Sequence, residues 1–168
     1  MKPRILPIMQ LGQPVLRAKA LPIRQWDHPA LQQLLDDMLA TVQKLQGVGI
    51  AAPQVGVPCR VLWVVFKKRP VAMINPRLVA HSEEMTEDLE GCLSVPGIRG
   101  LVPRYKRVSA EYTTREGKRI RRKLEGFIAR IFQHELDHLD GIVFIDRVQD
   151  TRTLMTDAEY ARQATSRV

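Results

Sequence analysis

Three features of this 168-residue chain predict an α+β fold, in which antiparallel β-sheets pack around a central helix, with an N-terminal helix and a short C-terminal helix. Apolar residues recur at three- and four-residue steps in two well-separated segments, as in helices. The segments between them alternate or run continuously apolar for short stretches, as strands do. Helices do not alternate regularly with strands, so a parallel βαβ arrangement is not expected.

The elements follow in order. Pro3, Pro7, Pro14 and Pro22 disfavour long helices in the first 26 residues, which read as an extended segment wrapped over the domain. Leu31, Leu34, Leu35, Met38, Val42 and Leu45 then form one apolar stripe. Its helix takes Asp27 as the expected N-cap, Pro29 in the first turn and Gly47 as the left-handed residue beyond the last. Small residues from Gly47 to Gly56 leave backbone that a ligand can approach closely. Arg60 to Phe66, opened by Cys59, and Val71 to Ile74 read as buried strands, joined by a turn at Lys67-Lys68-Arg69-Pro70. His81 to Asp88 reads as a polar connection and Leu89 to Pro96 as a strand edge. Val108, Ala110 and Tyr112 alternate with polar residues, and Glu116-Gly117 turns the chain back toward Ile120 to Leu124, a hairpin. After Gly126 a second helix carries Ile128, Phe132, Glu135 and Leu139 beside Phe127, Ile131, His134 and His138, and ends near Gly141. Thr156-Asp157-Ala158-Glu159 has the spacing of a capping box, which starts the short third helix.

Composition narrows the class of protein. With 45% hydrophobic and 26% charged residues the chain is globular, and its length suits one domain over residues 1–168. The longest apolar run, Val61 to Phe66, is far below the roughly 18 residues that cross a bilayer, and no apolar stretch follows the basic start, so neither a membrane partner nor a secretory signal is expected. A cytoplasmic location follows, with Cys59 and Cys92 as free thiols. The net charge is +8, yet the one dense cluster, Lys118 to Lys123, holds five of the 26 basic residues with no aromatic interleaved. It reads as the solvated face of a strand, and sequence-specific nucleic-acid binding is not expected.

The chemistry concentrates in His134-Glu135-Leu136-Asp137-His138. Histidines four apart share a helix face and can reach one metal ion, with the intervening glutamate beside the water such an ion activates. Only four histidines occur in the chain, so this spacing is rare by chance, while His28 and His81 lack partners and read as surface residues. A catalytic site needs a third ligand. Phe144 stands where a third histidine of the longer His-x-x-Gly-x-x-His pattern would fall, which leaves Glu159 and Cys92 as candidates. Read alone, Glu159 serves equally well in the capping box and Cys92 as a small buried hydrophobe.

Gly47 to Gln54 (GxGxAAxQ), Glu90 to Ser94 (EGCxS) and Gln133 to His138 (QHExDH) together resemble the three ordered motifs of the peptide deformylase family, with no departure at a defining position. The resemblance implies that Cys92, His134 and His138 hold one divalent metal ion, Fe2+ above all, with Zn2+, Ni2+ and Co2+ able to substitute. It implies Glu135 as the acid/base, the Gln54 amide and Leu93 N–H as oxyanion donors, and Gly47, Val48, Gly49, Gly91 and Arg99 along the peptide path. The expected reaction removes the formyl group from the N-terminal methionine of nascent polypeptides. Phe127 and Ile131 would line a methionine pocket, and the basic surface or the tail from Arg152 to Arg167 would make transient contact with the ribosome.

Overall fold

A computed structural model of the chain describes residues 2–66 and 69–165, so Lys67 and Lys68 of the expected turn, and Arg167 of the tail, lie outside the described residues. The elements are α1 (Pro29–Lys44), β1 (Gly49–Ala51), β2 (Val61–Phe66), β3 (Arg69–His81), β4 (Met85–Cys92), β5 (Val95–Tyr105), β6 (Arg107–Thr113), β7 (Arg119–Glu125), α2 (Phe127–Leu139), β8 (Met155–Thr156) and α3 (Asp157–Thr165). The strands form two antiparallel sheets, one in the order β1-β2-β3-β6-β7 and the other β4-β5-β8. The mixed fold with antiparallel sheets and three helices is the one the sequence predicts.

Helix α2 packs on β1, β2, β3 and β7 and reaches β5 of the smaller sheet. Strand β2 is covered on both faces: Val61 and Trp63 meet Leu31, Leu35, Met38 and Val42 of α1, while Leu62 and Val64 join Phe132 and Leu139 of α2. Double burial explains why it reads as an unbroken apolar run. The expected hairpin is β6–β7, with Val108 opposite Leu124 and Tyr112 opposite Ile120.

Several boundaries differ from expectation. The N-cap of α1 is His28, whose Nδ1 accepts from the Ala30 N–H at 3.2 Å, and Asp27 stands one residue too early. The left-handed residue after α1 is Gln46 (φ 55°) rather than Gly47. Gly47 is glycine for space, because a Cβ there would lie 2.8 Å from Val42 Cγ2. Cys59 lies just before β2 and bridges to Leu21. Strand β3 runs from Arg69 to His81, well beyond the expected Val71 to Ile74. Asn75 adopts φ 51°, and its side-chain amide bonds both the N–H and the carbonyl of Ile23 at 2.8 Å, so the irregularity is fixed and pairing with β6 resumes beyond it. Most of the expected polar connection is strand as well, since β4 begins at Met85.

Candidate active site

Gly126, at φ 61°, starts α2 in a conformation that favours glycine. The helix then carries His134, Glu135 and His138 into the interior, where all three are buried. Cys92 arrives from the other sheet, as the last residue of β4 before the two-residue turn Leu93-Ser94 into β5. The Cys92 Sγ lies 3.2 Å from His138 Nε2, and the ligand atoms of Cys92, His134 and His138 all fall within 4.8 Å of one another. Glu159 is not among them: it faces solvent on α3, bonded to Arg162 and Gln163.

Each of these side chains is aimed by a neighbour. The Glu90 carboxylate contacts His134 Nδ1 at 2.9 Å, leaving Nε2 as that ring's second nitrogen, and it accepts two bonds from Arg104 at 3.0 Å and one from Arg130 at 2.8 Å. Burial works to raise the Glu90 carboxyl, but bonds from His134 and Arg104 outweigh it and hold it well below the usual carboxylate range. Asp137 ties α2 to Arg104 (2.5 Å) and Arg147 (2.7 Å). Gln133 bonds both the N–H and the carbonyl of Tyr105, clamping α2 to the end of β5. Phe144 lies in the core, its ring stacked 6.3 Å from that of His134.

Gln54 sits in the short 3-10 turn after β1, fully buried. Its Oε1 accepts from the Ala51 N–H at 2.8 Å, which turns the amide Nε2 toward Cys92 Sγ and Ser94 Oγ, both at 3.4 Å. The Ser94 N–H also donates to the Cys92 sulfur at 3.4 Å. Glu135 lies against Gly49, where a Cβ would fall 2.4 Å from its Oε1. Burial pushes the Glu135 carboxyl up to about 7.

A cleft of about 460 Å³ opens beside this group. Its walls include Gly47, Val48, Gly49, Gln54, Gly91, Cys92, Leu93 and Arg99, and Phe127 and Ile131 lie on the helix side. Every residue expected along the peptide path thus borders one space. The donor set suits a divalent metal ion: a thiol and two imidazoles, of which His138 is pushed down by burial toward the neutral form that ligates. Two buried polar atoms at the site, Glu135 Oε2 and His138 Nδ1, have no hydrogen-bond partner among the described residues. Sequence reasoning missed Arg104 and Arg130, and quoted Glu90 and Asp137 in their motifs without a role. The signal for these two was position, Glu90 two residues before Cys92 and Asp137 one before His138.

Two imidazoles from one helix, a thiol from a facing strand and a buried carboxyl beside an open cleft define a metal-dependent hydrolase. Comparison with known proteins narrows that class. The polypeptide deformylase family model matches residues 5–153, and the chain belongs to this family. Peptide deformylase 2 of Nostoc is 49% identical over 175 aligned positions, 98% of either chain, and peptide deformylase 1 of Bordetella pertussis is 41% identical over 85% of this chain and 87% of its own. Among solved structures, peptide deformylase from Thermotoga maritima superposes with a TM-score of 0.84 at 38% identity, covering 87% of this chain and 99% of that one. A Met-Ala-Ser-bound class I type b peptide deformylase from Acinetobacter baumannii gives 0.83 at 39% identity, covering 88% and 100%.

Proposed function

We propose that the chain, acting as one catalytic domain over residues 1–168, removes the formyl group from the N-terminal formyl-methionine of new polypeptides and releases formate. The observation that carries this reading is the convergence of Cys92, His134 and His138 beside the buried carboxyl of Glu135 at the wall of a peptide-sized cleft. Cys92, His134 and His138 would hold the ion, Fe2+ above all, with Zn2+, Ni2+ or Co2+ as substitutes. Bound there, it supplies a Lewis acid that makes water nucleophilic near neutral pH and polarises the formyl carbonyl.

The chain's own groups do the rest. Glu135 takes a proton from the attacking water and delivers it to the departing amine nitrogen, a task suited to a carboxyl raised toward neutrality. Gln54 Nε2 and the Leu93 N–H donate to the oxygen as charge develops on it. The backbone of Gly47 and Val48, leading into the edge strand β1 at Gly49, accepts the peptide through main-chain bonds, with Gly91 and Arg99 across the cleft. Phe127 and Ile131 form the methionine pocket.

Among the described residues no helix is long and apolar enough to cross a membrane. Work on nascent chains would occur in the cytoplasm. Any transient contact with the ribosome would use the basic surface, where Arg119, Arg121 and Arg122 of β7 are exposed, or the tail from Arg152 to Arg167. The deciding experiment measures metal per chain and turnover of a formyl-Met peptide on anaerobically prepared protein. Iron and oxygen-sensitive activity are expected. Cys92→Ala should lose the metal and Glu159→Ala retain it; the opposite pattern, or equal zinc and iron activity without oxygen sensitivity, would overturn the assignment.

A further inference from the structure

Beyond residue 153 the chain returns to the cleft. Strand β8 pairs with β5, with Met155 opposite Arg99 and Thr156 opposite Ile98, and this register brings the first turn of α3 to the cleft mouth. Asp157 Oδ1 accepts from Arg99 Nε at 2.6 Å, and the Arg99 Cζ lies 4.5 Å from the centre of the Tyr160 ring. On the other side the guanidinium lies across Gly91, where a Cβ would sit 3.5 Å from Cζ and Nη1. Arg99 is thereby fixed on three sides. Its Nη donors have no hydrogen-bond partner among the described residues, and both Arg99 and Asp157 border the cleft.

We propose that Asp157, with the Tyr160 ring against the same guanidinium, is a positioning residue for substrate choice: it locks Arg99 across Gly91 so that the Nη donors meet a backbone carbonyl of the peptide beyond its first residue, and it cancels the guanidinium charge at the mouth. The inference rests on the deformylase reading above. An unpaired arginine there would favour chains with acidic residues near the start and disfavour basic ones. The one feature all new polypeptides share is the backbone carbonyl, and an arginine with a charge-balancing carboxylate can bind it without reading side chains.

The test compares kcat/KM at low salt for formyl-Met-Ala-Glu and formyl-Met-Ala-Lys amides. The parent should treat them alike. Asp157→Asn should shift the ratio toward the acidic peptide by about fivefold, chiefly in KM, and added salt should erase the shift. Asp157→Glu should restore the parent ratio. Arg99→Gln leaves the carboxylate unopposed and should shift the ratio toward the basic peptide, which keeps the inference testable if Asp157→Asn loosens α3. A purely structural anchor would change both peptides equally, so a parent ratio in both the Asn and the Gln variants overturns the proposal. Absence of turnover by the parent on either peptide would overturn the deformylase reading and this inference with it.

Discussion

Gly49 and Glu135 define the tightest contact of the site. With a Cβ only 2.4 Å from Glu135 Oε1, Gly49→Ala must push the buried carboxyl away from β1 and toward the cleft, out of the position it holds beside Cys92, His134 and His138. Gly49→Ala should cut kcat by roughly 10²-fold, within the span of general acid–base contributions, while metal content stays at the parent level. Retained activity would show that the carboxyl works from elsewhere. Glu135→Gln keeps the size of the side chain but cannot carry a proton at neutral pH. One residue serving two proton transfers should cost at least about 10³-fold in kcat, with formyl-peptide affinity changed by less than about 1.4 kcal/mol. Metal per chain, thermal midpoint and single-turnover rate on one preparation check this, and turnover within tenfold of the parent at intact metal and stability removes Glu135 from the proposed role. The His134/Glu135/His138 constellation was legible from helical spacing alone, whereas the placement of Cys92 came from the resemblance. No rule of spacing joins a strand-end thiol to a helix 42 residues later.

The elements that meet at the site are joined by buried charge. Glu90 on β4, Arg104 on β5, and Arg130 and Asp137 on α2 are all nearly inaccessible to solvent, and Arg147 closes the group from outside. Removing one member of a buried ionic network leaves its partners uncompensated. Glu90→Gln should therefore destabilise the fold by about 3–5 kcal/mol, and because Glu90 also orients His134, metal affinity should fall about 10- to 100-fold. A denaturation midpoint and a chelator competition measure the two effects, and an unchanged midpoint would mean the network stabilises little. The sign of its pH dependence follows from the depressed Glu90 carboxyl. Its contribution is present above the unfolded value near ~4.3 and is withdrawn as pH falls toward the folded one, so parent and variant should converge in acid. This network also marks where the sequence was least informative. Strand β4 is largely exposed, with only Glu90 fully buried, so it offered no apolar alternation, and β5 interposes Pro96, Gly97 and Pro103. The two helices and the β6–β7 hairpin, which bury one face on the common core, were legible to within a few residues.

At the scale of the whole molecule, the prolines of the first 26 residues correctly announced an extended segment, but nothing in them announced what it touches. Near its start the Arg4 N–H donates to Asp37 and the Leu6 N–H to Thr41, both on α1. The chain then crosses the two sheets: the Met9 N–H donates to the Gln54 carbonyl, the Leu11 N–H to the Ser94 carbonyl, both at 2.8 Å, and Gln10 Nε2 to the Leu93 carbonyl at 3.3 Å. Three consecutive residues of the segment, Met9, Gln10 and Leu11, thus tie together the turn that carries Gln54 and the turn that carries Leu93 and Cys92, the two sources of the proposed oxyanion donors. Such donors act only if they are held in place before charge develops. Deleting residues 1–11 should lower stability by about 5 kcal/mol or more, from the five hydrogen bonds named above at roughly 1 kcal/mol each plus part of the Leu6 and Ile8 packing. It should also lower kcat by at least tenfold while metal remains bound, because Cys92, His134 and His138 keep their own supports. Gln10→Ala, which removes only the two exposed bonds from Nε2 to the Ile8 and Leu93 carbonyls, should leave the thermal midpoint nearly unchanged and lower kcat two- to fivefold, separating donor alignment from stability. A truncated chain that loses metal and activity in parallel would show instead that the segment holds Cys92, and equal kcat in all three proteins would show that the two turns keep their register without it.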